Sequence, residues 1–358
     1  MSTLFFYLPL LLLFALGGIY AERKLAAFIQ DRLGPTDVGY RGLLQSFADL
    51  LKLLQKESIV PATADKRLFA LAPAWTLVVV MAAFAVLPVT PTWHGAPTAT
   101  GVLYLLAMAG LEVMGIWVAG WASHNKYARL GAMRALLQFM AYEVPLGLSV
   151  LSVVMVSQTL NLATIAAQQG PDASSPTYLL GLKGLDVSQW GGILTWNIFR
   201  MPSLGLAYAV FFVASLAACH RAPFDLPEAE SELIGGYHTE YGGLRWAYLM
   251  LSEYSMLLLM SLLGVFLFWG GWHSPLPNLP GLPLSTWTSG VPGTWAGHVW
   301  ASGWLWAKTL FVVGVKMTIR WTFPRLRFDQ VMRLCWQYLT PLALALALVT
   351  LCWQLCIL

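Results

Sequence analysis

The residues with the clearest capacity for chemistry lie in one polar loop between two long apolar segments. Asp225, Glu228, Glu230 and Glu232 fall within eight positions of one another in this loop. Carboxylates that crowd together partly out of water raise one another's pKa and titrate as a coupled set, which can hold and pass protons near neutral pH. The spacing also predicts a helix start, with Asp225 as cap and Glu228 closing a capping box. A solvated acidic helix start without proton chemistry is the alternative.

Three further acids, Glu112, Glu143 and Glu253, stand inside long apolar segments. A carboxylate in the hydrocarbon region of a membrane is costly, and it usually faces a protein interior or a water-filled cavity. Proton relays are a common use of such residues. We therefore expect these three acids to belong to the same proton path as the acidic loop.

A polar stripe leads toward one of these acids. Arg134, Gln138 and Tyr142 follow each other at four-residue spacing, which places them on one helical face, and Glu143 comes next. Lys308, near the middle of another apolar segment, could extend the same polar line, or it could snorkel between helices. These residues predict a hydrated, titratable path through an apolar domain.

The loop at residues 21–70 carries basic residues and a helical pattern of its own. Apolar side chains recur at helical spacing opposite charged ones, at positions 43, 44, 47, 50, 51 and 54. About 14 residues cannot span a bilayer, so we expect an interfacial amphipathic helix, with an ordinary connector as the alternative. Together with residues 22–24 and 30–35, among them Glu22, Arg23 and Arg32, this helix would line an apolar slot suited to a lipophilic head group.

The chain that carries these groups is strongly apolar. Of its 358 residues, 58% are hydrophobic and 11% are charged, which predicts an all-α polytopic membrane protein. Apolar windows of about 18 residues or more, the length that crosses the hydrocarbon of a membrane, occur at 4–20, 71–89, 101–121, 135–160, 202–218, 244–269, 300–319 and 334–355. We predict one membrane domain, residues 1–358, with eight transmembrane helices and the interfacial helix in the first cytoplasmic loop.

Basic residues predict the orientation. Of the 21 lysines and arginines, 18 fall in residues 21–70, 121–136, 219–245 and 316–333. The positive-inside rule makes these loops cytoplasmic, including the acidic loop at 219–245, and places both termini on the periplasmic side of a bacterial inner membrane. The net charge of +4 is thus a topology signal, and we expect no nucleic acid partner. The first apolar segment lacks the charges of a signal peptide and is expected to be retained.

Cysteine spacing indicates no metal site. Cys219, Cys335, Cys352 and Cys356 form no CxxC pair and lie in or beside apolar segments, so neither zinc nor an iron–sulfur cluster is predicted. A phosphate-binding glycine loop is also missing from the sequence. If the chain takes part in redox chemistry, the electrons are carried elsewhere.

Several motifs, in order, resemble one family nearly end to end: the quinone-site membrane subunit of proton-pumping NADH:quinone oxidoreductase, respiratory complex I. They are residues 21–24 (AERK), 31–35 (DRLGP), 42–57, 120–123 (GWAS), 131–135 (GAMRA), 142–144 (YEV), the acidic loop and 324–333 (PRLRFDQVMR). The resemblance implies that the chain anchors a hydrophilic arm and forms a chamber through which membrane quinone reaches the terminal iron–sulfur cluster of a neighbouring subunit.

The resemblance also implies roles for individual residues. Arg23, Arg32 and Asp49 match positions at the mouth of the chamber, and Arg221 matches a counter-charge to the acids. The residues implied in the acidic path are Glu143, Asp225, Glu228, Glu230, Glu232 and Glu253. The expected partners are hydrophilic-arm subunits, small membrane subunits, antiporter-like pumping subunits and lipids. Iron–sulfur clusters and flavin are expected only in those partners, with ubiquinone or menaquinone as substrate.

One departure from the family pattern concerns Ala218, where many members carry Glu three residues before Arg221. Glu112 or His220 is the candidate replacement for that carboxylate.

Three alternatives remain open from the sequence. A related membrane subunit of an energy-converting hydrogenase or formate hydrogenlyase would hand electrons to protons rather than to quinone. A stand-alone cation/proton antiporter would transport ions without partners. A scaffolding anchor would tolerate neutralisation of its buried acids.

Overall fold

The described part of the chain is helical. The computed structural model describes residues 2–93, 95–96, 98–171, 178–182, 186–187, 190–279, 282–291 and 293–357. The helices are α1 (Ser2–Ile29), α2 (Gln45–Gln55), α3 (Lys66–Phe84), α4 (Gly101–Ala122), α5 (Lys126–Ser157), α6 (Leu162–Ala167), α7 (Asn197–Arg200), α8 (Pro202–Ala218), α9 (Glu230–Leu233), α10 (Leu244–Phe268), α11 (Leu284–Ser289), α12 (Trp295–Thr322), α13 (Phe328–Arg333) and α14 (Thr340–Ile357). A π-helical stretch, Leu334–Leu339, joins α13 to α14.

Extended structure is minor in the described residues. Strands β1 (Asn278–Leu279) and β2 (Leu282–Pro283) form one short antiparallel pair, and single 3-10 turns lie at Tyr40–Gly42, Leu179–Gly181, Gly192–Thr195 and Gly236–His238. The prediction of an all-α chain is confirmed.

Within the described residues, six helical segments are long and apolar enough to cross a membrane. They are Phe6–Ile29, Lys66–Phe84, Gly101–Ala122, Lys126–Ser157, Leu244–Phe268 and Phe328–Cys356. The other two predicted spans are also helical. Helix α8 has 17 residues, at the short end for a span, and the 28-residue α12 is less apolar because it carries Lys308, Lys316 and Arg320. Six of the eight predicted spans are therefore supported, and the crossing of α8 and α12 stays a prediction.

Helix α10 forms the centre of the bundle. The most apolar window of α10 is 94% buried by the rest of the chain, against 28% for the first and last of the six spans. Its buried side chains join a core contributed by α1, α3, α4, α5, α8, α12 and α14. Polar groups in this window, such as Glu253, are thus enclosed by protein, whereas Tyr248 nearer the start of α10 is exposed.

Two helices extend beyond their apolar windows. Helix α1 continues to Ile29, nine residues past the predicted end at Tyr20, so the first part of the predicted loop 21–70 is helical. Helix α5 begins at Lys126, where the Asn125 side chain accepts a hydrogen bond from the Tyr127 amide at 2.9 Å and caps the helix. Hydropathy did not predict the end of α1 or the start of α5, because polar residues that hydrogen-bond within the protein can continue a helix beyond its apolar part.

The predicted helix in the first loop forms as α2. Phe47, Leu51 and Leu54 are exposed on the surface of the chain, whereas Leu50 and Leu53 turn toward α1 and α10 and line a cavity between them. An apolar exposed stripe suits a helix lying in a membrane interface. That placement stays a prediction.

The capping box predicted in the acidic loop is wrong. Helix α9 comprises Glu230–Leu233 and has Ala229 at its N-cap, and no side chain caps it there. The Asp225 carboxylate instead lies 3.5 Å from the Arg325 guanidinium. The Asp225 carboxylate, which local spacing assigns to a helix cap, is therefore paired with an arginine that is distant in sequence.

The acidic loop packs closely on α5 at two glycines. A Cβ on Gly131 would lie 2.8 Å from the Pro227 carbonyl oxygen and 2.9 Å from the Tyr237 nitrogen. Gly236 has φ +58°, and a Cβ there would lie 1.8 Å from the same carbonyl oxygen. Because the nearest atoms are backbone, they cannot rotate away as a side chain would. Both positions therefore require glycine.

We predict that Gly131→Ala destabilises the protein by about 1–3 kcal/mol, because the added methyl group forces the acidic loop away from α5. Gly147→Ala is the matched control: it lies in the same helix, gains the same helix propensity and would meet no atom within 4 Å. Thermal unfolding midpoints of the detergent-purified proteins measure the difference. Equal midpoints for the two variants would contradict this account of the packing.

Candidate functional site

A cavity of about 320 Å³ lies between α1, α2 and the first half of α10. Most of its wall is apolar. The charged and hydroxyl-bearing residues of the wall are Glu22, Arg23, Ser46, Asp49, Tyr248, Tyr254 and Arg320. An apolar cavity with a few polar groups suits an apolar molecule that carries a polar head.

Arg23 and Asp49 pair across one wall of the cavity. Their closest nitrogen and oxygen lie 2.5 Å apart, and the Gln45 amide donates to the other Asp49 oxygen at 3.1 Å. This contact joins α1 to α2. Arg32 does not line the cavity: it is exposed, and its Nε donates to the Gln30 side chain at 2.8 Å.

Glu22 is the buried acid of the cavity wall, with 4% of its surface exposed. Its carboxylate accepts hydrogen bonds from Arg221 Nη1 at 3.1 Å to each oxygen, from the Tyr254 hydroxyl at 2.6 Å and from Arg320. The Arg221 guanidinium also lies over the Tyr254 ring, 4.4 Å from its centroid. Two arginines and a tyrosine thus hold one carboxylate.

The sequence predicts that Glu22 lines the slot, but it assigns Glu22 no role in the acid path. The available signal was its position: Glu22 is the first acid in the chain and stands at the inward end of the first apolar segment. Its arginine partners are distant in sequence, so only the fold identifies them.

A second buried cluster lies beyond Arg221, where the acidic loop meets α10. His238 Nε2 is 2.8 Å from Glu228 Oε1 and 3.1 Å from Glu253 Oε1. The Tyr237 hydroxyl donates to Glu253 Oε1 at 2.6 Å. The structure therefore brings together two of the predicted acids and adds His238 and Tyr237, which sequence reasoning did not select. The pair Tyr237-His238, next to the glycines that end the acidic run, was the signal available.

Burial and charge alter the acid–base behaviour of this loop. Burial and the nearby Glu253 carboxylate raise the pKa of Glu228. Burial and the charge of Glu228 raise the pKa of Asp225 to about 6, against the opposing effect of Arg325. Both carboxyl groups can therefore be protonated closer to neutral pH than an ordinary acid, as the sequence pattern predicted.

Two of the predicted acids, Glu143 and Glu232, lie away from this cluster. Glu232 is half exposed and contacts Arg134 at 2.5 Å, and this hydrogen bond lowers the pKa of Glu232. Glu143 is exposed on the surface of α5, although the adjacent Tyr142 is buried. The side chain of Glu230 lies outside the described residues. The stripe of Arg134, Gln138 and Tyr142 therefore does not include Glu143, because consecutive helical residues point about 100° apart.

Glu112 is buried on α4, with 1% of its surface exposed, and its Oε2 has no hydrogen-bond partner among the described residues. The Tyr142 hydroxyl is also buried without such a partner. Glu112 lies close enough to Glu253 for their charges to interact, and Tyr142 lies close to Glu112. Ala218 is fully buried, and Glu112 interacts electrostatically with Cys219 next to it. The replacement of the missing carboxylate by Glu112 or His220 stays a prediction.

Lys308 does not extend the polar line. Its ammonium group donates to the carbonyl oxygens of Trp269 at 2.8 Å and His273 at 2.9 Å. Glu253 and Trp269 are 16 positions apart, about 24 Å along a helix. Lys308 thus binds the opposite end of α10 from the acid cluster.

The ligating atoms of Glu228, His238 and Glu253 lie within 4.8 Å of one another. This convergence could accept a cation, but hydrogen bonds among the three side chains already engage the imidazole Nε2. Over the described residues, the four cysteines are free, with Cys219 and Cys335 buried and Cys352 and Cys356 exposed.

Comparison with known proteins places these features in one family. Residues 1–351 match the family described as NADH dehydrogenase. The chain is 50% identical to an NADH-quinone oxidoreductase subunit of Cytophaga hutchinsonii, over 99% of this chain and 98% of that protein. It is 44% identical to an NADH-quinone oxidoreductase subunit of Chlorobaculum tepidum, over 94% of this chain and 87% of that protein. It is also 44% identical to the corresponding protein of a Geobacillus species, over 97% of this chain and 93% of that protein. The chain therefore belongs to the NADH dehydrogenase family.

Proposed function

We propose that this chain is a membrane subunit of a proton-translocating NADH:quinone oxidoreductase, that its cavity receives quinone, and that its buried acids couple quinone reduction to proton translocation. One observation carries the proposal: the Glu22 carboxylate lines the cavity and also binds Arg221, whose guanidinium lies near the acid cluster and interacts electrostatically with Glu228 and Glu253. A charge change in the cavity can therefore reach the cluster through fixed contacts.

The cavity suits the two parts of a quinone. Leu12, Leu16 and Leu251 give its wall an apolar character along the helices, which matches a hydrocarbon tail. Arg23 and Arg320 line the cavity, and each guanidinium has N–H donors beyond those that bind Asp49 and Glu22, which can orient the carbonyl oxygens of a head group. Quinone reduction takes up two electrons and two protons. We infer that the electrons come from partner subunits, because the four cysteines form no CxxC pair of the kind that holds an iron–sulfur cluster.

The coupling path begins at Glu22. When quinone chemistry changes charge beside Glu22, Arg221 and Arg320 experience the change directly, because both bind this carboxylate. Arg221 also interacts with Glu228 and Glu253. A shift of the guanidinium toward or away from them changes the energy of each carboxylate, since opposite charges stabilise the ionised form. Proton occupancy in the cluster would follow the redox state of the cavity.

The exposed acids fit the outlet of this path. Glu143 and Glu232 lie at the surface of the chain, where a neighbouring subunit would cover them. A carboxylate on a membrane-embedded surface is costly without a polar partner. We infer that small membrane subunits enclose Glu143 and receive the charge change, with antiporter-like subunits beyond them.

The proposed setting follows the sequence predictions. The chain would cross a bacterial inner membrane eight times as one domain, with both termini periplasmic and the loops 21–70 and 219–245 cytoplasmic. The cavity opens near these loops, so hydrophilic-arm subunits that carry flavin, iron–sulfur clusters and the quinone-reducing site would dock on that side. Lipid would cover the apolar face of α2.

We predict that Ala247→Phe, which places a ring in the cavity, raises the KM for quinone about tenfold by competing for the volume that the substrate needs. Electron transfer from NADH to ferricyanide should persist in the assembled enzyme. Ala345→Phe is the control, because Ala345 is exposed on α14. An unchanged KM in a fully assembled Ala247→Phe enzyme would exclude this cavity as the quinone site.

We predict that Glu253→Gln lowers quinone reductase turnover and proton translocation together, by about tenfold or more, because an amide cannot exchange a proton with the cluster. Asp37→Asn, a solvent-facing acid-to-amide change, should leave both rates unchanged. Turnover is measured with NADH and a soluble quinone, and translocation with a pH-sensitive dye in proteoliposomes. Wild-type rates in assembled Glu253→Gln would remove this residue from the path.

A further inference from the structure

We propose that His238 carries a proton between Glu228 and Glu253, which makes its imidazole a working member of the acid path. The inference rests on the proposed function, because it assigns one step within the coupling path. The two acids are residues that the sequence pattern selects, whereas His238 is placed between them by the fold.

A single ring nitrogen of His238 faces both carboxylates. Nε2 lies 2.8 Å from Glu228 Oε1 and 3.1 Å from Glu253 Oε1, and both distances are within the range of a hydrogen bond. The imidazole is buried, with 9% of its side chain exposed. A proton on Nε2 is therefore shared by two acceptors that water reaches poorly.

The loop holds the ring in this position. The 3-10 turn Gly236–His238 begins at a glycine with positive φ, and the Thr239 hydroxyl donates to the Gly236 carbonyl oxygen at 2.6 Å. The Tyr237 ring lies 3.8 Å, centroid to centroid, from the imidazole, and its hydroxyl binds the same Glu253 oxygen. The imidazole is thus oriented by its neighbours before any proton moves.

The surroundings favour a charged ring. Burial alone would lower the pKa of His238, but the hydrogen bonds and charges of Glu228 and Glu253 raise it to about 9, so the imidazole is cationic at neutral pH. The opposite holds for His220, whose pKa burial lowers to about 4. The other charged or titratable groups near the cluster are Glu112, Cys219, Arg221, Asp225 and Tyr237.

The proposed transfer needs no electron and no cofactor. The imidazolium gives its Nε2 proton to Glu253 Oε1, which breaks the N–H bond and forms an O–H bond. The neutral ring then takes the proton of the Glu228 carboxylic acid on the same nitrogen. One proton has moved from Glu228 to Glu253, and the imidazolium is restored.

The test is His238→Gln in the assembled enzyme. The glutamine amide can still donate a hydrogen bond from about the position of Nε2, but it cannot release a proton near neutral pH. We expect quinone reductase turnover and proton translocation at pH 7 to fall at least about tenfold. Subunit content and electron transfer from NADH to ferricyanide should stay at the wild-type level.

The pH profile separates a proton-carrying role from a packing role. Loss of the neighbouring cation raises the pKa of Glu228 further, since the charge of His238 favours the ionised carboxylate. The acid limb of the turnover profile, where Glu228 must lose a proton, should therefore move to higher pH by about one unit. His298→Gln is the matched control, because His298 lies in α12 and contacts Thr90, outside the cluster. It should leave the profile unchanged.

Wild-type turnover and an unshifted profile in His238→Gln would overturn the proposal. Evidence for a bound metal would also overturn it. If a chelator lowers wild-type turnover and added Zn²⁺ restores it, His238 is a metal ligand and not a proton carrier. The acid variants keep the two proposals distinct. If Glu253→Gln is impaired and His238→Gln is not, only the role of His238 fails. If Glu228→Gln and Glu253→Gln both retain full translocation, the proposed coupling path itself fails.

Discussion

The ion pairs of Glu22 with Arg221 and Arg320 connect the helices that form the cavity to the loop that carries the acid cluster. They join α1 to the loop after α8 and to α12, and Tyr254 adds α10 through its hydroxyl. A buried carboxylate is stable only with partners of this kind, and removal of Glu22 would leave the buried Arg221 without its carboxylate. The cavity wall and the acid cluster are consequently fixed to the same set of side chains.

Helix α10 serves both sites with two consecutive residues. Glu253 points to the acidic loop and Tyr254 to Glu22 and the cavity, because successive residues on a helix differ in direction by about 100°. The burial of α10 on all sides makes this division possible, since each of its faces meets protein. The two sites can therefore influence each other over the width of one helix, without a large movement of the backbone.

The proposed relay combines groups of opposite tendency in a small volume. Burial disfavours charge on Glu228, while the same surroundings hold His238 as a cation. A proton moves most easily between two groups when a nearby charge can change which of them has the higher pKa. Arg221 is placed to supply that charge, because it contacts the cavity acid and lies near the cluster.

Composition and periodicity alone determined the all-α membrane class, the position of the apolar helices and the presence of acids within them, because hydrocarbon burial and backbone hydrogen bonding leave few other solutions. The sequence also selected Glu228 and Glu253. It could not reveal that Arg325 pairs with Asp225, that Glu143 faces outward, that Glu22 binds Arg221 and Arg320, or that His238 belongs to the acid cluster. Those facts depend on partners far apart in the chain, and only the packing of the helices brings such partners within hydrogen-bond distance.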